Sequence, residues 1–180
     1  MNSCRGKILI ANSSIITDFF NQTVIFMIDH DETGAFGLVI NKKADYTVHD
    51  ILKGTPEAKN DVFIYSGGPV DLSFVSILHN NGSLPEPGLE VIPGVWFGRS
   101  FELLSSLIQS ESKYLVFQGY SGWGAGQLED EFDRKSWVLH EVDAGFIFHD
   151  DPSKVWKESL ISKGGLYKYF AEHTKDPLLN

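Results

Sequence analysis

The chain has 180 residues, 42% hydrophobic and 22% charged, which suits one domain with a real core and excludes a disordered composition. Its formal charge is −9, and its 15 Lys and Arg form no run longer than Lys42-Lys43, which disfavours direct nucleic-acid binding. A single cysteine, Cys4, excludes an internal disulfide, and no apolar run nears the roughly 20 residues that span a membrane. A soluble, cytoplasmic protein is the expectation.

Cys4 is expected at a mobile terminus as an inert thiol, its pKa drawn slightly down by Arg5 and Lys7. Lys7 to Ala11 reads as a first strand, ending in the turn-rich Asn12-Ser13-Ser14, and Phe19-Phe20 read as packing residues beyond it. Thr23 to Ile28 is apolar on both faces, the pattern of a strand in the middle of a sheet. The short polar loop His30 to Gly34 should join it to Ala35–Asn41 as an antiparallel hairpin. Thr47 to Asp50 has the form of a capping box for a short helix that stops at Gly54.

Val62 to Tyr65 and Phe74 to His79 are the next strands, and Asn80 to Gly88 is a surface loop. Leu89 to Phe97 reads as one strand interrupted at Pro93-Gly94, hence an edge or a bulge. Ser100 caps a helix over 101–109, with Leu103, Leu104, Leu107 and Ile108 on one face. A strand over 113–118 enters a glycine-rich turn, Gly119 to Gly126, and a helix begins near Gln127 with acidic residues in its first turn. Trp137–Val142 and Gly145–Phe148 look extended, and Asp151-Pro152 opens a last helix closed by Gly164-Gly165. Without steady βαβ alternation, the fold class is α+β: one domain over 1–180, a mostly antiparallel or mixed sheet with helices packed on it, and a mobile tail at 171–180.

Four chemistries have partial counterparts in these elements. Gly119-Tyr120-Ser121-Gly122-Trp123 follows a strand like a Gly-x-Ser-x-Gly nucleophile elbow, but Trp123 replaces the last glycine and His140, His149 and His173 are triad partners by type only. Ser66-Gly67-Gly68-Pro69 and the later glycine turn offer backbone donors to an anion, yet neither carries a P-loop or dinucleotide-binding spacing. His30, His49, His79, His140, His149 and His173 are dispersed, so no metal and no other cofactor is expected. Glu129, Asp130, Glu131 and Asp133 read as a solvated helix start, with Glu131 the one able to point back at the glycine turn.

Gly6 to Asn12, Gly34 to Lys42, Gly67 to Val70 and above all Gly119 to Glu129 give the chain a resemblance to the AlgH/YqgE family, extending from about residue 6 to about 165. Trp137 and Trp156 also fall where that family usually carries tryptophan. The resemblance implies an α+β domain in a bacterial cytoplasmic protein, named for a regulator of transcription and with no established activity or catalytic residues to carry over. Position 121 is often Ala in the family, which weakens Ser121 as a nucleophile, and the ending Asp176 to Asn180 departs from the family's usual Gly-His-Ala-like tail.

The expected function is binding rather than catalysis, with an indirect role in regulation and an unknown small-molecule or protein partner. The expected surface comprises Asn12, Asn41, Gly67, Gly68, Gly119, Tyr120, Trp123, Gly124, Gln127 and Glu131, where glycines expose backbone donors and Tyr120 and Trp123 offer stacking faces. The alternative is a small-molecule-binding enzyme or sensor in the same cleft, with Glu131 or Ser121 as the reactive group.

Overall fold

Residues 3–12, 19–56 and 61–173 are described by the computed structural model. The apolar run at Val24 lies where its two-faced burial requires, in the interior of a ten-stranded sheet. Strand β1 (Lys7–Ala11) lies antiparallel to β2 (Val24–Asp31), and β2 forms the expected antiparallel hairpin with β3 (Gly34–Val39). Next come β4 (Lys43–Thr47), helix α1 (Val48–Ile51), β5 (Phe63–Ser66) and β6 (Val70–His79). The Asp50 carboxylate accepts the Thr47 N–H at 2.7 Å, which closes the entry to α1 as the capping box predicts.

β7 (Leu89–Ile92) and β8 (Val95–Gly98) correct the reading of one interrupted strand. Pro93-Gly94, with Gly94 at φ +79°, turns the chain back so that the two pair antiparallel. Helix α2 (Phe101–Ile108) is capped by Ser100, whose Oγ accepts the Leu103 N–H. β9 (Tyr114–Gly124) then runs straight through the glycine-rich segment, followed by α3 (Gln127–Asp133), β10 (Trp137–Glu141) and α4 (Ala144–Ile147). α4 replaces the extended piece expected at 145–148, because Asp143 caps a short turn through the Phe146 N–H.

Helix α5 (Pro152–Lys163) opens at Asp151 as expected, and hydrogen bonds from Ser153 and Lys154 hold the Asp151 carboxyl at about 2. α6 (Gly165–His173) departs from the expected end of the last helix; it begins at the second of the paired glycines, directly after Gly164 caps α5. Of the tail expected at 171–180, residues 171–173 end α6. The rest, like Ser13 and Ser14, lies outside the described residues.

The sheet order β10-β1-β2-β3-β9-β6-β8-β7 makes β9 the spine. On one edge β9 holds β5, parallel, at Val116 to Gln118, and then β3, antiparallel, at Ser121 to Gly124. β6 lies antiparallel along the other edge. The chain leaving β5 must therefore cross over β9 to begin β6. It does so at Gly67-Gly68: the Gly67 N–H donates to Gln118 O, and Gly67 O accepts the Val39 N–H. A Cβ at Gly68 would sit 2.0 Å from the Tyr120 carbonyl carbon, and one at Gly119, which is at φ +70°, would sit 2.4 Å from Gly68 O.

Side chains cover both faces. Ile8, Ile10, Phe26 and Leu38 pack under Val155, Trp156 and Leu160 of α5, and the Trp156 Nε1–H donates to Ala11 O at 2.9 Å. On the other face Leu9, Ile25, Met27 and Val39 lie beneath Trp123, Leu128 and Trp137. A third cluster joins Ile64, Ile77 and Val116 to the leucines of α2. Cys4, expected at a mobile end, is fully buried in the second cluster, where burial pushes its thiol pKa up.

Two outcomes follow from these packing relations. Gly68→Ala drives a methyl into backbone that cannot step aside and costs about 3 kcal/mol or more, whereas Gly124→Ala, with open space around the added atom, is near neutral. Urea midpoints of the two variants check this, and equal midpoints would remove the crossing as a constraint. His79 is buried, with Nε2 on Pro87 O at 2.8 Å and Nδ1 accepting the Asn81 N–H, and burial depresses its pKa below 6.5. The unfolded chain then takes up the proton first, so this stabilisation is intact above pH 6.5 and is lost as pH falls towards the depressed value. The stability difference between wild type and His79→Gln should therefore shrink between pH 7 and pH 5; a difference independent of pH sinks the assignment.

Candidate functional site

Gly126, at φ +76°, turns the end of β9 into α3, and the four-residue spacing of Gln127 and Glu131 puts both on one helix face. That face looks back at the strand. The Gly124 N–H donates to Gln127 Oε1 at 3.1 Å, and Gln127 Nε2 donates to Glu131 Oε1 at 3.1 Å. Glu131 Oε2 accepts two indole protons, from Trp123 Nε1 at 2.9 Å and Trp137 Nε1 at 2.7 Å. The indoles meet edge to face, 6.2 Å between centroids at 82°, and Phe20 stands edge-on to Trp137 at 5.8 Å. A carboxylate thus joins β9, α3 and β10 at one point.

Beside it lies a cleft of about 360 Å3. Phe20, Pro69, Val70, Trp123 and Trp137 supply its apolar surface, and Gly122, Gln127, Glu131 and Ser136 complete the lining. Size and composition match a small-ligand site, mostly apolar with a few placed polar groups.

The structure brings together Trp123, Gly124, Gln127 and Glu131 from the expected set. Asn12 supports them from outside: its Nδ2 donates to Lys135 O at 2.9 Å and its N–H to Ser136 O, fixing the turn that carries Ser136 to the cleft. Asn41 is elsewhere, bracing the start of β2 through the Val24 N–H and Gln22 O. Gly67, Gly68 and Gly119 form the chain crossing. Tyr120 is three residues from Trp123 on a strand, so the two point to opposite faces, and Tyr120 packs with Phe36 at 5.2 Å and Phe74 at 5.0 Å.

The nucleophile elbow is replaced by mid-strand geometry. Ser121 pairs with Gly37, is 1% exposed, and donates its hydroxyl proton to Gly67 O at 3.2 Å. His149 is engaged with Glu158 at 2.6 Å and with the Asp151 N–H. No group of three or more metal-ligating side chains occurs among the described residues. Sequence reasoning missed Phe20, Pro69, Val70, Ser136 and Trp137 as cleft residues; the available signal was a second tryptophan six positions beyond Glu131. It also missed a pair on another side of α3, where His30 Nδ1 accepts the Cys4 N–H and Nε2 meets Glu129 Oε1 at 3.0 Å.

Removing the carboxylate should strand two shielded indole protons at once. Glu131→Ala is expected to cost about 3 kcal/mol and to red-shift tryptophan emission, because a buried donor left unmatched costs about 1–3 kcal/mol. A loss below about 0.5 kcal/mol would mean that the carboxylate does not hold the indoles.

Four likenesses bear on this arrangement. A family profile described as AlgH-like matches residues 8–168. A UPF0301 protein of Chlorobaculum tepidum is 36% identical, with 97% of this chain and 95% of the relative covered. The solution structure of the AlgH protein from Pseudomonas aeruginosa superposes with a TM-score of 0.76 at 28% identity, over 97% of this chain and 96% of that one. A crystal structure of a Corynebacterium diphtheriae protein shares the fold, with a TM-score of 0.78 at 18% identity over 92% and 90% of the two chains. The matched span runs from β1 into α6 and takes in both the glycine crossing and the tryptophan pair around Glu131, and the chain belongs to the AlgH-like family.

Proposed function

We propose that this AlgH-like chain is a non-catalytic binding protein of the cytoplasm, which takes a small ligand into the Trp123–Trp137 cleft and acts on gene regulation indirectly, through a protein partner. The observation that carries the reading is the Glu131 carboxylate, braced by Trp123, Trp137 and Gln127 beside an apolar cleft. Such bracing presents a preformed surface, so little ordering remains to be done when a ligand enters. The groups that an enzymatic reading would use are engaged in structure: the Ser121 proton is given to a main-chain carbonyl, and Glu131 receives three donors. The regulatory part follows the family's name, and an indirect route agrees with a chain whose 24 acidic residues outnumber 15 basic ones.

A thermal-shift screen of metabolites, nucleotides and anions tests the cleft. Wild type is compared with Val70→Trp, which fills the mouth from an exposed position, and with Trp123→Ala. A ligand at a hundred times its dissociation constant adds about 2.7 kcal/mol and raises Tm visibly. Stabilisation of wild type that folded Val70→Trp loses is the expected result; equal stabilisation of both would move the ligand out of this cleft.

A further inference from the structure

Resting on the reading of the cleft as a ligand site, we propose that its ligand class is a small organic cation, an ammonium or guanidinium group carried on a short apolar body. Among the described residues that line the cleft, Glu131 is the one ionisable group, so the only formal charge available there is negative. Its three protein donors, two indoles and a carboxamide, are all neutral. They orient the carboxylate without cancelling its charge.

The distribution of those donors matters. Oε2 takes both indole protons, which fills its two lone-pair directions, whereas among the described residues Oε1 takes one proton, from Gln127, and presents a second direction to an incoming donor. Both indole N–H groups are spent on Glu131, so Trp123 and Trp137 offer a ligand only ring-carbon surface. Aromatic surface attracts cations through its quadrupole, and a carboxylate beside it reinforces that preference. Phe20, Pro69 and Val70 extend the apolar wall for the body of the ligand. An anionic ligand would set its charge beside Glu131 and is disfavoured on the same grounds.

Three probes of similar length separate the alternatives: pentylammonium, neutral 1-pentanol and pentanoate, titrated into the full chain and followed by tryptophan emission. The expected result is that pentylammonium binds at least about tenfold more tightly than the other two, and that Glu131→Gln, which loses the charge, brings pentylammonium down to the affinity that the same variant has for pentanol. Val70→Trp should abolish the pentylammonium response. Equal binding of pentanol and pentylammonium to wild type, or an unchanged pentylammonium affinity in Glu131→Gln, overturns the cation proposal. If pentanol binding is then lost in folded Val70→Trp, the cleft still stands as an apolar ligand site. Responses that survive Val70→Trp, or silence from all three probes on folded wild type, overturn both readings together.

Discussion

Two strands of backbone cross at Gly67-Gly68 and Gly119-Tyr120 at a separation no side chain permits, and the rest of the molecule is arranged around that contact. The crossing lets one strand, β9, collect β5 and β3 in succession on one edge while β6 occupies the other. Glycine is the residue that tolerates main-chain approach of this kind, and its entropic cost is met by the sheet that closes around it. The crossing also delivers Pro69 and Val70 to the rim of the cleft, directly after Gly68. A segment that looks like a ligand-cradling loop thus has a topological duty first.

The second organising contact is Glu131 with its two indoles. Tryptophan buries a large apolar body but brings a proton that needs an acceptor, and one carboxylate meets that need for two of them. Trp123 and Trp137, each 7% exposed, can in consequence roof the sheet over Leu9, Ile25 and Val39 with no unmatched N–H. What serves packing on one side shapes a binding surface on the other, where the same rings and the same carboxylate line the cleft.

Much of this was legible in residue order. The two-faced apolarity of Val24 to Ile28, the Ser100 cap with its leucine stripe and the Asp151-Pro152 helix start all have local causes, and local causes survive reading one stretch at a time. What escaped depends on contacts far apart in the chain. The glycines of 119–124 suggest a turn in isolation but form strand because β3 pairs with Ser121 to Gly124 while Gly67 and Gly68 lie against Gly119 and Tyr120. Tyr120 and Trp123 look like partners until β9 is known to be extended and to send them to opposite faces. Trp137 became a site residue only once β10 was placed beside α3, and Glu131 stood out only through the donors that converge on it.

The crossing also bears on the order in which the chain can assemble. Gly68 and Gly119 are separated by about fifty residues, and pairings of that range are the slow ones in folding. Until β9 emerges from the ribosome, β3, β5 and β6 lack the strand they share, and each offers an open edge to any neighbour with free hydrogen bonds. Synthesis from the N-terminus therefore supplies the central strand late, after the segment it crosses, and exposure of unpaired edges is concentrated in the interval before residue 114 appears.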